Sequence, residues 1–173
     1  GELSDQLLRR ACLDALAWPA HLTLAFNISA KQLSDPAVGL RILAILAETG
    51  FSPRRLEIEI TETAVVAQMK IAQIVTAQLR QAGVRIALDD FGTGYSSLHY
   101  LGRLPIDTIK IDQSFVRAMR REETAAATVR AVVALAKAHG KKLVAEGIET
   151  GEDAAQLAGM GCEYGQGYHF GRP

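Results

Sequence analysis

The chain has 173 residues, of which 49% are hydrophobic, and its 19 basic side chains balance 19 acidic ones. This length is enough for the core of one domain, and zero formal net charge gives no broad field for binding nucleic acid or a membrane surface. Cys12 and Cys162 lack the spacing of a zinc site or a disulfide framework, so we expect reduced, buried thiols in a cytosolic protein. This stretch shows no apolar run of membrane-span length and no secretory signal pattern.

Strand and helix patterns alternate along the chain. Six short runs, most of them continuously apolar, predict strands buried on both faces: Leu22–Ile28, Leu56–Ile60, Val84–Leu88, Ile106–Ile111, Leu143–Ala145 and Tyr164–Phe170. Apolar positions three and four residues apart predict helices between them: Leu3–Ala17, Ala37–Glu48, Ala64–Gln81, Ala125–Ala138 and Asp153–Ala158. This alternation is typical of a β/α barrel or of an open doubly wound sheet.

Boundary signals agree with the alternation. Asp35–Pro36 resembles a helix N-cap followed by proline, and Thr150 with Asp153 resembles a capping box. Four glycines each follow a helical pattern and precede a strand, where a left-handed residue closes a helix: Gly50, Gly83, Gly140 and Gly161. A complete barrel has eight strands, so six predict either an open sheet or a barrel without its first two strands.

Polar residues stand where five of the predicted strands end. These endings are Asn27–Ser29, Glu59–Glu62, Asp89–Asp90, Lys110–Asp112 and Glu146–Gly147. The carboxyl ends of parallel strands meet at one edge of a sheet, and in a barrel that edge carries the chemistry. The sequence therefore predicts one polar site at that edge. Its oxygen ligands would suit a hard divalent cation such as Mg²⁺ or Mn²⁺.

Six motifs carry a resemblance to a known family. They are Phe26–Ser29, Glu57–Thr63, Ile86–Leu98, Leu104–Val116, Val144–Thr150 and Gly165–Tyr168. Together, in order and over essentially the whole chain, they resemble the EAL domain family of bacterial phosphodiesterases, which hydrolyse cyclic di-GMP to the linear dinucleotide pGpG. The resemblance implies a TIM-like (β/α) barrel. The Glu-Ala-Leu motif is absent, so we expect residues 1–173 to be a single, N-terminally incomplete EAL-type domain with about six of eight β/α units.

The resemblance assigns the metal ligands. Asn27, Glu59 and Asp89 would bind one metal ion and Asp90 a second, with Asp89 a plausible bridge. Two such ions about 3.5–4 Å apart activate a water and stabilise the charge on a phosphoryl group. The alternative for Asp90 is a cap of the following turn. Asp112 would either reach a metal or pair with a lysine.

Lys110 and Glu146 are the residues nearest to the proposed chemistry. Lys110 stands between Ile109 and Ile111 in a strand that should be buried, so its charge must face the site or pair with a carboxylate. The resemblance implies that Lys110 contacts the water or scissile phosphate and that Glu146 is the general base. A metal ligand without a proton role is the alternative for Glu146.

Two further positions follow from the resemblance. Gln166 would touch the metal-bound water or a phosphate, and Glu62 would support the loop after the aspartate pair. A surface salt bridge is the alternative for Glu62. The loop Phe91–Ser97 would be a lid or transmit contacts of a homodimer.

The leading hypothesis is a cytoplasmic phosphodiesterase domain that adjoins sensory or cyclase domains in a protein that could itself be membrane-anchored. A catalytically silent EAL-like receptor of cyclic di-GMP or of a protein is the second hypothesis. An unrelated metal-dependent barrel enzyme is the third.

Overall fold

The computed structural model of this chain describes residues 1–93 and 101–172. Within them the strands are β1 (Leu24–Asn27), β2 (Leu56–Thr61), β3 (Arg85–Phe91), β4 (Thr108–Ile111), β5 (Lys142–Ala145) and β6 (Tyr164–Gly165). The helices there are α1 (Glu2–Ala15), α2 (Ala30–Leu33), α3 (Val38–Thr49), α4 (Glu62–Ala67), α5 (Met69–Gln81), α6 (Gln113–Ala118), α7 (Glu123–Ala138) and α8 (Gly151–Met160). The sheet order is the chain order. The pairs β1–β2, β4–β5 and β5–β6 are parallel, which confirms the predicted α/β class.

The chain forms two compact units. The first comprises the described parts of Gly1–Ala87 and Leu98–Ile106, and the second those of Leu88–Ser97 and Asp107–Pro173. In the described ranges no helix is both long and apolar enough to cross a membrane. Cys12 and Cys162 are free and buried, as expected.

In the first unit the register of β1 on β2 aligns Leu24 with Leu56 and Asn27 with Glu59. Leu56 is fully buried, so the paired strands form part of the core of this unit. Helices α1 and α3 pack on each other. Gly50 closes α3 in the predicted left-handed conformation.

The second unit is built on β4, whose four residues are all buried. Helix α7 contacts β4 and β5 and buries Val129, Val133 and Ala136, which share one helical face. The predicted capping box at the start of α8 is confirmed, because Thr150 and Asp153 exchange side-chain and backbone hydrogen bonds. This box fixes the end of the loop that follows β5.

Two predicted elements differ from the structure. The prediction of one helix over Ala64–Gln81 was wrong, because Gln68, at φ −134°, separates α4 from α5, and α4 begins two residues earlier, at Glu62. The last strand ends at Gly165 instead of Phe170. Beyond it the chain turns, as the Gln166 amide donates to Ala145 and the His169 amide to Ile148.

Short elements after strands escaped prediction. Helices α2 and α6 have four and six residues, too few to display a helical period. Ser29 caps α2, and Asp112 caps α6. Asp35 is not the N-cap of α3, which begins at Val38. Its carboxylate instead accepts a hydrogen bond of 2.9 Å from the amide of Ala37.

Candidate functional site

The aspartate pair at the end of β3 has an unusual backbone. Asp90 has φ 54°, the one positive φ at a non-glycine residue among those described. Its amide donates a 3.1 Å hydrogen bond to the carboxylate of Asp89. A left-handed L-residue costs about 1–2 kcal/mol, and such strain concentrates at functional sites. The backbone thus directs two adjacent carboxylates differently from a regular strand, in which neighbours alternate between faces.

A buried lysine joins this pair to the end of β5. Lys110 Nζ lies 2.7 Å from Glu146 Oε1 and 3.4 Å from Asp89 Oδ1, and the lysine is only 5% exposed. Glu146 follows β5, and its amide donates to the carbonyl of Ile111 at the end of β4. Of the two expectations for Lys110, facing the site or pairing with a carboxylate, the pairing is therefore confirmed.

The acidic groups of this cluster outnumber its single cation. Carboxylate oxygens of Asp89, Asp90 and Glu146 lie within 4.8 Å of one another. Burial raises the pKa of Asp90, and the negative charges of Asp89 and Asp112 raise it further. Three carboxylates against one ammonium group leave a net charge of about −2 when all are ionised, which suits a hard divalent cation with oxygen ligands. The donor set thus fits Mg²⁺ or Mn²⁺.

Asp112 has a different set of contacts. Its Oδ1 accepts a 2.9 Å hydrogen bond from the amide of Ser114 and another from the Ser114 hydroxyl. It therefore caps α6, and its carboxylate is not one of the three that cluster. Its charge still acts on Asp90.

The first unit holds a second pair of predicted ligands. Asn27 Nδ2 donates a 2.7 Å hydrogen bond to Glu59 Oε2. Parallel pairing of β1 with β2 brings them side by side, and Glu59 is 6% exposed. Both side chains present oxygen atoms, so the pair has ligand chemistry of the same hard type.

Glu62 opens α4 and is fully buried. The alternative of a surface salt bridge for this residue is therefore wrong. Of the loop Phe91–Ser97, residues 94–97 lie outside the described part of the chain. The predicted support of this loop by Glu62 and its role in a homodimer stay predictions.

A cleft of about 260 Å³ opens beside Glu146 in the second unit. Its lining includes Gln113, Arg117, Glu146, Glu149, Gln166 and Tyr168. The backbone of Gln166 is held on both sides, since its amide donates to Ala145 and its carbonyl accepts from Ile148. Arg117 and Glu149 form an ion pair of 3.0 Å in the same lining. The cleft is open to solvent, and its lining includes charged and amide side chains.

Sequence reasoning missed Gln113, Arg117, Glu149 and Tyr168 as cleft residues. Arg117 belongs to the basic run Arg117–Arg121, a pattern that in the sequence alone indicates a solvated helix edge. A signal was present, because Gln113 and Arg117 are four residues apart on a helix that begins just after β4. This spacing of Gln113 and Arg117 was not recognised, because the helix that carries them was not predicted.

Comparison with known families identifies the fold. The family model described as "EAL domain" matches residues 1–173 of this chain. The cyclic di-GMP phosphodiesterase PdeR of Escherichia coli is 40% identical over 153 residues, which cover 88% of this chain and 23% of PdeR. The chain thus spans about a quarter of the length of this curated relative.

Solved structures agree. The PaMucR phosphodiesterase in its c-di-GMP complex is 35% identical, with a TM-score of 0.95 over 99% of this chain and 71% of that chain. BlrP1 of Klebsiella pneumoniae, solved in a manganese and cyclic di-GMP complex, is 33% identical, with a TM-score of 0.88 over 96% of this chain and 43% of that chain. The predicted fold class is confirmed by these matches, because EAL domains have a TIM-like barrel fold.

Proposed function

Because the chain belongs to the EAL domain family, we propose that it catalyses the metal-dependent hydrolysis of cyclic di-GMP to linear pGpG as a domain of a longer signalling protein. The named activity of PdeR and the ligands of PaMucR and BlrP1 support this substrate. The observation that carries the proposal is the buried Lys110 held between Asp89 and Glu146, with Asp90 beside them. This combination suits phosphodiester hydrolysis, because carboxylates can hold metal ions and a fixed cation can offset charge on the phosphoryl group.

The metal ligands of the proposal are Asp89 and Asp90, with Asn27 and Glu59 as further ligands. Two Mg²⁺ or Mn²⁺ ions bound by such oxygens would lower the pKa of a water and neutralise phosphoryl charge. Asp112 Oδ1 accepts the hydrogen bonds from Ser114, so Oδ2 is the oxygen that would ligate a metal ion. The charge of Asp112 also adds negative field at Asp90.

The chain's own groups have separate tasks. Glu146 accepts a proton from the attacking water, and Lys110 orients this carboxylate through their 2.7 Å contact. The ammonium group also offsets negative charge that develops on the phosphoryl oxygens. Gln166 lines the cleft beside Glu146 and offers its amide to a phosphate.

The assembly around this domain is part of the same proposal. We expect a cytoplasmic homodimer that adjoins sensory or cyclase domains. Sedimentation of the full-length protein with substrate and metal tests the dimer, and a persistent monomer would contradict it.

The decisive experiment measures cyclic di-GMP turnover by the full-length protein with Mn²⁺, alongside Glu146→Ala. Turnover that disappears in the variant supports a phosphodiesterase with Glu146 at its chemistry. Tight binding of cyclic di-GMP without turnover by the natural protein would instead make it a receptor.

A further inference from the structure

A buried aspartate at the start of α8 has no part in the proposed chemistry. Asp153 is 1% exposed, and both of its carboxylate oxygens accept hydrogen bonds from the guanidinium group of Arg120. The Thr150 hydroxyl and amide also donate to Asp153 Oδ2, at 2.8 and 3.1 Å. Arg120 and Thr150 together lower the pKa of Asp153 to about 2. A bidentate pair whose carboxylate is buried in this way fixes geometry in addition to charge.

The pair ties the Glu146 loop to the segment that follows β4. Arg120 lies just beyond the end of α6, and Asp153 and Thr150 form the capping box where the loop from Glu146 ends. Residues 146–149 have no regular secondary structure. Their conformation therefore depends on how the two ends of the loop are held.

Two more contacts run along the same side of α6. Gly147, at φ 70°, packs so closely on Gln113 that an added Cβ would lie 2.5 Å from the Gln113 Cβ. Arg117 pairs with Glu149. Residues 113, 117 and 120 have the i, i+4, i+7 spacing of one helix face, with Arg120 continuing it past the helix end. The contacts thus hold the loop at its start, middle and end.

The three contacts differ in how firmly they hold. Both side chains of the Arg117–Glu149 pair are about half exposed, at 56% and 43%, and exposed pairs contribute about 0–1 kcal/mol. In the Arg120–Asp153 pair the carboxylate is buried and multiply bonded. The second pair is therefore the stronger restraint on the loop.

We propose that Arg120 and Asp153 are positioning residues, which hold the loop after β5 so that Glu146 stays against Lys110. Neither residue lines the cleft or belongs to the acidic cluster. Their action on the reaction passes through the loop. The catalytic part of this inference rests on the proposed phosphodiesterase function, whereas the restraint on the loop does not.

The test uses the full-length protein with Arg120→Gln, Arg120→Lys, Asp153→Asn and the double variant R120Q/D153N. Asparagine keeps an oxygen for the capping bonds from Thr150, so α8 retains its cap. Arg130→Gln is the matched control, because it removes an exposed arginine–glutamate pair on α7. We expect Arg120→Gln to lower kcat about tenfold with KM changed less than twofold. Arg120→Lys should give an intermediate kcat, and the double variant the same loss as one single variant, because the two residues act as a unit.

Hydrogen exchange of the peptide that spans residues 146–153 gives a readout independent of turnover. We expect exchange about tenfold faster in Arg120→Gln and unchanged in Arg130→Gln. Equal effects of the two variants, or additive losses in the double variant, would overturn the proposal, as would unchanged exchange. If the natural protein hydrolyses no cyclic di-GMP, the proposed function is refuted. The exchange data then still decide whether the Arg120–Asp153 pair restrains the loop.

Discussion

Lys110 Nζ contacts Glu146 Oε1 at 2.7 Å, across the parallel pair of strands β4 and β5. Register explains the contact. Ile111 is opposite Ala145, so the residue after β5 returns to the end of β4 and donates its amide to Ile111. A carboxylate placed there meets a lysine that strand burial keeps from water. The two residues thus form one ion pair at the ends of neighbouring strands.

Glu146→Gln should strongly lower turnover while substrate binding persists. The amide keeps the shape of the side chain but cannot take a proton, and loss of a general base costs about 10²–10⁴ in kcat. Turnover of cyclic di-GMP with Mn²⁺ and calorimetric binding give the two readouts. Glu163→Gln, at an exposed position outside the cleft, is the control and should keep full activity. Turnover retained in Glu146→Gln would leave Glu146 as a metal ligand only.

Lys110→Met should lower kcat by about 10²–10³, because a fixed positive charge near the developing phosphoryl charge is lost. It should also destabilise the protein in EDTA, since Asp89 and Glu146 then lose their counter-charge. Mn²⁺ should restore much of this stability by supplying positive charge. Thermal unfolding with and without metal measures it, with the exposed Lys70→Met as control. Equal unfolding of Lys110→Met in EDTA and Mn²⁺ would count against a metal at this cluster.

Asp90→Asn should weaken Mn²⁺ binding by about 10–100-fold, the usual effect of damaging a metal site. The amide removes one of the three clustered charges and retains an oxygen of similar shape. Calorimetric titration of the full-length protein with Mn²⁺ measures the affinity. Asp14→Asn, which changes an exposed carboxylate in α1, is the control. Unchanged affinity would remove Asp90 from the ligand set.

Arg117→Gln should raise KM for cyclic di-GMP about tenfold with little change in kcat. Arg117 lines the cleft, and a hydrogen bond from a charged donor to an anionic ligand contributes about 1.5–3 kcal/mol. Initial-rate kinetics separate the two constants. Arg130→Gln again serves as the control. A fall in kcat with unchanged KM would assign Arg117 to the positioning of the loop instead.

How far the sequence predicts this protein depends on the length of each pattern. Strand ends such as Asp89–Asp90 and Glu146 stand out because a charge after an apolar run is costly without a partner. The left-handed Asp90 and the Arg120–Asp153 pair did not stand out, since each depends on tertiary contacts between distant residues. Helix α6 was not predicted, because six residues are too few to show a helical period. The position of Arg117 in the lining of the cleft was therefore not predicted either.

Asp153 should make stability depend on pH in acid. Its pKa in the folded protein is about 2, against an ordinary value of 3.8, so the folded state favours the ionised form. The stability from this shift is fully present above about pH 4 and is lost as pH falls toward 2. Because Arg120 is partly exposed, we expect about 1–2 kcal/mol.

Asp153→Asn should therefore be less stable than the natural protein at pH 6, and the difference should shrink as the pH falls from 4 toward 2. Urea unfolding at several pH values measures the difference in free energy of unfolding between the two proteins. The contributions of the other acidic groups cancel in this difference. Asp14→Asn breaks the exposed pair of Asp14 with Arg10 and should change stability by less than about 1 kcal/mol at any pH. A stability difference for Asp153→Asn that stays constant down to pH 2.5 would mean that the loss does not come from the charge of Asp153.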